Sequence, residues 1–266
     1  MIVKHIENFD LKQIAESGQC FRMNMSDDKT AQLTAFGRVL QITDRGGGDF
    51  GFSCREEEFD EIWSGYFDLE TDYGRIIASI DPGDRFLVRA AGCGSGIRIL
   101  RQDPFETLIS FIISQRKNIP AIKSSVEKLC RTCGEKITDE IHAFPSAKAI
   151  FSLSDKELSE CSLGYRTSYV REAAERVALG QTDLYSLSDL GDGELFEELT
   201  AFKGVGKKVA NCVMLFAYHR IASFPRDVWI GRIEEEYYNG TFPESRYDGY
   251  AGVLQQYMFY SVRNRL

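Results

Sequence analysis

The stretch Leu199 to Asp227, LTAFKGVGKKVANCVMLFAYHRIASFPRD, decides how the rest of the chain is read. Phe202-Lys203-Gly204-Val205-Gly206 is a tight glycine hairpin between two helical patterns, and Lys207 and Lys208 follow on the opening turn of the second. Glycines allow a positive-φ turn and let backbone N–H groups approach an anion, while a helix start adds partial positive charge. The pattern is a phosphate grip beside an amine. The helix start and Lys207 both disfavour an ammonium at Lys208, and a neutral lysine can act as a nucleophile and form a Schiff base. Asp227, after Phe224-Pro225-Arg226, opens the next helical pattern. Near Lys208, its carboxylate would stabilise positive charge developing on a sugar carbon. Taken alone, the same residues also fit a binding hairpin and a helix N-cap.

Upstream of this stretch the chain is mostly helical. Asp103-Pro104-Phe105-Glu106 places a capping Asp, a first-turn Pro and an acidic third residue ahead of the apolar run Leu108 to Ile113, which predicts a buried central helix. Pro120 opens a further helix that closes at Gly134, and Ser154-Asp155-Lys156-Glu157 is a capping-box pattern. Ser114-Gln115-Arg116-Lys117-Asn118 and Gly164-Tyr165-Arg166 fall in inter-helix loops. An aromatic beside an arginine in such a loop can wedge into a base stack. The first hundred residues differ: alternating segments near Gln32 to Phe36 and Arg38 to Thr43, split by Gly37, continue through Gly46-Gly47-Gly48 to Cys54. These predict a small antiparallel sheet. The period becomes helical from Glu56, with Phe59, Ile62, Trp63 and Tyr66 on one face. The expected class is α+β, a small antiparallel-sheet domain with flanking helices over residues 1–97, packed on a helical domain over residues 98–266.

A length of 266 residues suits one or two domains, and 43% hydrophobic with 27% charged residues is ordinary for a soluble protein. The apolar runs Phe111 to Ile113 and Val213 to Tyr218 are too short to span a bilayer, and Met1 to Asp10 contains no export signal, so an intracellular, cytoplasmic location is expected. Seven scattered cysteines favour a reducing compartment. Cys130 and Cys133 form a lone C-x-x-C with only His142 nearby, which reads more simply as two cysteines on a helix than as a zinc site. A net charge of −8 argues against coating nucleic acid through the whole surface. It leaves room for a local basic groove from Arg116-Lys117, Arg166, Lys203-Lys207-Lys208 and Arg263-Arg265.

The segment LTAFKGVGKKVANC…FPRDVWIGR resembles the helix-hairpin-helix and Gly/Pro…Asp signature of base-excision DNA glycosylases, with lysine where bifunctional members have it. Ser17-Gly18-Gln19-x-Phe21-Arg22, Leu100-Arg101-Gln102-Asp103-Pro104, Leu163-Gly164-Tyr165-Arg166, Lys208-Val209-Ala210-x-Cys212 and Tyr250-Ala251-Gly252 are similar to the 8-oxoguanine DNA glycosylase branch. The resemblance implies that Lys208 is the Schiff-base nucleophile and Asp227 the catalytic aspartate. It implies that the Gly18 carbonyl accepts the N7 proton that distinguishes 8-oxoguanine from guanine, that Cys212 and Phe259 sandwich the flipped base, and that Gln255 reads its Watson–Crick edge. The residue spacings support part of this, since Lys208 and Cys212, like Gln255 and Phe259, lie one helical turn apart. Gly204, Gly206 and Val209 match the amides that grip a phosphate, with no cofactor required beyond a possible backbone-bound alkali cation. Tyr165 and Arg166 match the wedge and void-filling positions, and Arg116 and Asn118 the loop facing the orphaned base. The implied partner is double-stranded DNA containing 8-oxoguanine, bound by a monomer.

The departures carry expectations of their own. Eukaryotic members have a run of asparagines where this chain has Arg116-Lys117-Asn118, and an arginine reading the opposite cytosine where this chain has Ala121, so a relaxed opposite-base preference is expected. Trp229 replaces a common histidine, and its indole N–H could remake the phosphate contact. No cysteine follows Cys212, so the iron–sulfur loop of the endonuclease III branch is absent from the sequence. Two alternatives remain at this stage: a monofunctional alkylbase glycosylase, which would rely on the aspartate and water, and a non-catalytic helix-hairpin-helix DNA-binding protein.

Overall fold

The computed structural model describes residues 1–264; Arg265, expected in a basic groove, lies outside the described residues. Five antiparallel strands, β1 (Ile2–His5), β2 (Met23–Met25), β3 (Thr30–Ala35), β4 (Arg38–Gly46) and β5 (Asp49–Phe52), form one sheet in the order β1-β5-β4-β3-β2. Phe36 and Gly37, both at positive φ (50° and 70°), make the tight turn between β3 and β4 and set Ala35 opposite Arg38. Two-residue turns of this kind match the twist of the strands they join. Alternation then directs Ala31, Leu33, Leu40, Ile42, Phe50 and Phe52 into a core closed by Phe59, Trp63 and Phe67. The helical pattern predicted from Glu56 is present, with a π-helical turn over Phe59–Trp63. Strands β1 and β2 have no counterpart in the sequence expectation.

A second and larger core belongs to the helices. Its centre is the helix Pro104–Ser114, capped by the Asp103 carboxylate on Glu106 N and carrying Pro at its start as expected. Leu108, Ile109, Ile112 and Ile113 are fully enclosed. At about 25 cal/mol per Å² of apolar surface, a helix hidden on every side is held mainly by burial. The helices Tyr73–Ala78 and Arg85–Cys93, which fall within residues 1–97, also contribute their apolar faces to this helical core, the second against the terminal helix Ala251–Arg263.

A polar seam joins the two cores. The Asp68 side chain, fully buried, accepts from Arg101 Nη2 (2.6 Å) and Tyr73 OH (2.9 Å). His219 Nε2 lies 3.0 Å from Oδ2, the oxygen that also accepts from Tyr73, close enough for an ion pair although not aligned as a hydrogen bond. These partners hold the Asp68 carboxyl below the usual carboxylate range against the opposing effect of burial. Arg98 donates to the carbonyls of Glu7, Phe67, Asp68 and Thr71. No helix among the described residues is long and apolar enough to cross a membrane.

Candidate active site

The hairpin forms as its glycines predict. Gly204 sits at φ +80°, and a Cβ there would lie 2.3 Å from Cδ2 of Tyr169, so both conformation and space require glycine. Gly206 is the exposed N-cap of the helix Lys207–Phe216. The amides of Gly206, Lys207, Lys208 and Val209 have no acceptor among the described residues, leaving them available to an anion at the helix start. Val209 itself is buried and anchors the turn.

Half-buried Lys208 places Nζ 5.0 Å from the ring centroid of Phe111, on the central helix. Phe111 is held in turn by Phe216 (5.5 Å, stacked) and Phe21 (5.4 Å, edge-on). One turn after Lys208, the Cys212 thiol is buried, and desolvation raises its pKa. The Lys208 amine opposes that shift and the Asp227 carboxylate adds to it. The amine and the carboxylate thus both bear on the Cys212 thiol, in opposite directions.

Asp227 is also the N-cap of the helix Val228–Tyr237: Oδ1 accepts from Trp229 N and Ile230 N, both at 2.9 Å. Both capping bonds use the same oxygen, so Oδ2 is uncommitted among the described residues. The segment before it is fixed by Arg226, which donates to Glu234 and Glu244, and by Phe224 stacked on Phe242 at 5.1 Å. Gln255, buried on the terminal helix, donates from Nε2 to the Pro225 carbonyl (3.1 Å) and accepts from Gln256 Nε2. Phe259 lies one turn further on and is half-buried.

Gly18, at φ +79°, comes from the other end of the chain. A Cβ on it would stand 3.3 Å from Phe259 Cε1 and 3.2 Å from Ile119 Cδ1. Its neighbour Gln19 fixes it there: Gln19 Nε2 donates to Ser17 Oγ and to the Arg98 carbonyl, while its Oε1 accepts from Leu100 N. The Gln19 carbonyl accepts from Gln102 Nε2, and Gln102 N donates to the Phe216 carbonyl at the end of the Lys208 helix. A short relay of hydrogen bonds thus ties Gly18 to the element that carries the amine.

The remaining expected residues lie in the loops around this centre. Arg116 is exposed at φ +53° and has no ion-pair partner among the described residues. Asn118 is exposed, and its Oδ1 caps the helix Ile119–Cys133 at Ala121 N. Lys117 is turned inward to Ser125 Oγ and the Ser162 carbonyl, and Arg263 donates to the Glu16 carbonyl. Tyr165 is 52% exposed, whereas Arg166 is 6% exposed and donates to the carbonyls of Leu163 and Gln115, with its guanidinium 4.3 Å from the Tyr165 ring. Trp229 is partly exposed with the Arg232 guanidinium 5.5 Å from its ring. Cys130 and Cys133 lie on the helix Ile119–Cys133, and no three His, Cys, Asp or Glu side chains among the described residues are grouped to hold a metal. Sequence reasoning missed Phe111 beneath the amine and the Gln19–Gln102 relay, because neither has a local pattern that marks it.

Two family models match the chain. Residues 1–108 match the model of the 8-oxoguanine DNA glycosylase N-terminal domain, and residues 109–241 match that of the HhH-GPD superfamily of base excision DNA repair proteins. The chain is 34% identical to Clostridium acetobutylicum 8-oxoguanine glycosylase/lyase, solved in complex with double-stranded DNA containing cytosine opposite 8-oxoguanine. That match covers 99% of this chain and 96% of the clostridial one, with a TM-score of 0.92. The Saccharomyces cerevisiae N-glycosylase/DNA lyase is 33% identical over 65% of this chain, and the match spans half of the yeast protein's length. A probable N-glycosylase/DNA lyase of Methanothermobacter thermautotrophicus is 27% identical over 74% of this chain and 72% of its own length. The Archaeoglobus fulgidus 3-methyladenine DNA glycosylase, at 18% identity and a TM-score of 0.79, shares the fold. With its sheet domain, its hairpin with Lys208 and its Asp227 all within these matches, the chain belongs to the 8-oxoguanine DNA glycosylase family of the HhH-GPD superfamily.

Proposed function

We propose that the chain is a bifunctional glycosylase that flips 8-oxoguanine out of duplex DNA, excises it and nicks the strand. The observation that carries the reading is the row of unpartnered amides from Gly206 to Val209 at the start of the helix that bears Lys208, with buried Cys212 one turn further on. The free amides of Gly206 to Val209 would hold a backbone phosphate, and Tyr165 would enter the stack as the base leaves, offsetting an unstacking cost of a few kcal/mol. The base would then lie between Cys212 and Phe259, with the Gly18 carbonyl accepting its N7–H and Gln255 exchanging its present partners for the Watson–Crick edge.

The uncharged Lys208 amine attacks C1′ as the glycosidic C1′–N9 bond breaks and its electron pair leaves with the base, which takes up a proton. The nitrogen loses a proton, and opening of the sugar ring gives the Schiff base. Loss of a proton from C2′ then expels the 3′-phosphate oxygen by β-elimination, and water releases the lysine. Asp227 balances the positive charge on the sugar in the first step. This chemistry needs no cofactor. A weakly held alkali cation on the hairpin carbonyls, of which Phe202 and Gly204 accept from Val205 N and Gln115 Nε2, belongs to the proposal as a structural element only.

Ala121 is exposed and too short to read a base, which supports excision opposite bases other than cytosine. Action on DNA as a monomer within the cell completes the proposal. Borohydride reduction in the presence of a duplex bearing one 8-oxoguanine tests it. A covalent adduct is expected for the wild-type chain and for Lys207→Gln, and none for Lys208→Gln. An adduct that survives loss of Lys208 removes it as the nucleophile, and excision without trapping in the wild type favours the monofunctional alternative.

A further inference from the structure

Five contacts close a ring between the wedge loop and the hairpin. Gln115, the residue that ends the central helix, donates from Nε2 to the Ile112 carbonyl (3.1 Å) and to the Gly204 carbonyl (3.1 Å). Its own backbone carbonyl accepts from Arg166 Nη2. The Arg166 guanidinium lies 4.3 Å from the centroid of the Tyr165 ring. Tyr165 meets Tyr169 edge-on at 5.9 Å, and the Tyr169 ring occupies the space that a side chain on Gly204 would need. The ring returns to Gly204, where it began.

Gln115 acts on a sensitive point in that ring. The Gly204–Val205 peptide is held on both sides, its carbonyl by Gln115 and its N–H by the Phe202 carbonyl (3.0 Å). The next amides along the chain are the unpartnered ones at Gly206 to Val209, and Lys208 follows within the same turn. Rotation of the 204–205 peptide would swing those amides. The Arg166 contact is equally committed, because this residue, only 6% exposed, has two of its guanidinium nitrogens on chain carbonyls. Arg166 thus faces the protein in this state and takes part in holding the wedge.

We propose that Gln115 is a positioning residue that fixes the wedge Tyr165 and the Lys208 hairpin in one geometry, so that intercalation and the phosphate grip occur together. The proposal rests on the glycosylase reading for its rate measurement and on duplex binding alone for its second measurement. Donors that hold a reacting group within a fraction of an ångström govern rate more than affinity, and a 1 Å misplacement costs on the order of 100-fold.

The test uses Gln115→Met, which keeps length but removes the donor, Tyr165→Ala, and the double variant, each shown to be folded by near-ultraviolet circular dichroism. Single-turnover excision of 8-oxoguanine is expected to fall about 10- to 100-fold in Gln115→Met, with affinity for a duplex containing a tetrahydrofuran abasic site changed only a few-fold. 2-Aminopurine placed beside that abasic site should brighten on binding the wild type and fail to do so with either single variant. The double variant should be no slower than the worse single one, as expected for residues acting as a unit. A Gln115→Met chain that excises and unstacks like the wild type, or a double variant slowed by the product of the single effects, overturns the proposal. If the methionine variant does not fold, Gln115→Asn, too short to reach both carbonyls, is judged by the same outcomes. A wild-type chain that unstacks the reporter but excises nothing refutes the activity and leaves the coupling to be judged on fluorescence.

Discussion

Gly18 and Phe259, near opposite ends of the chain, are packed so closely that a Cβ on the first would lie 3.3 Å from Cε1 of the second. Gly18 is also at φ +79°. An alanine there strains the backbone by roughly 1–2 kcal/mol and pushes on Phe259 and Ile119 together. Gly18→Ala should lower stability by about that amount in urea denaturation. The ratio of 8-oxoguanine to guanine-analogue binding should fall as the carbonyl and the ring lose their spacing; an unchanged ratio would separate Gly18 from lesion reading.

Asp227 caps a helix and is proposed to balance charge on the sugar, and two substitutions separate these tasks. Asparagine is as good an N-cap as aspartate, whereas alanine costs about 1 kcal/mol of stability. Asp227→Asn should melt close to wild type yet lose turnover by on the order of 100-fold, with lesion binding largely kept. Asp227→Ala should show both defects. Comparable turnover in Asp227→Asn would remove the carboxylate from the chemistry.

Ala121 sits on the first turn of the helix that follows the loop with exposed Arg116 and Asn118. With no long side chain there, excision rates opposite C, A, G and T should lie within about one bidentate base contact of one another, roughly 1–3 kcal/mol. Ala121→Arg should widen the gap in favour of cytosine. A strong preference already present in the wild type would mean that another residue, with Arg116 the first to examine, reads that base.

The carboxyl of half-buried Glu106, at the base of the central helix, is pushed up to about 8 by desolvation, against the opposing pull of Arg22. The folded state therefore holds a proton that the unfolded chain releases near pH 4.5. The stabilisation is complete below that value and is lost as pH rises towards 8. Denaturation midpoints should decline over this window in the wild type and decline less in Glu106→Gln. Parallel profiles would show that Glu106 does not titrate there.

The sequence by itself determined the parts whose causes are local. Asp103 with Pro104, and Ser154 with Glu157, start their helices as read, because capping acts over three residues. The hairpin at Gly204 and its lysines were legible for the same reason, since a positive φ and a helix start are properties of adjacent residues. The alternation of β3 and β4 was equally plain, while the four-residue β1 and three-residue β2 are too short to show a period and exist through their partners. Tertiary structure decided the remainder. Apolar faces at Tyr73–Ala78 and Arg85–Cys93 would suit either core, and tertiary packing, for the second against the terminal helix, assigned both to the helical one. The ring of Phe111 beneath Lys208, the Gln115 bond to Gly204 and the meeting of Gly18 with Phe259 join residues with no shared period or motif. Such contacts arise from how whole elements pack, so their chemistry becomes readable once the chain has folded.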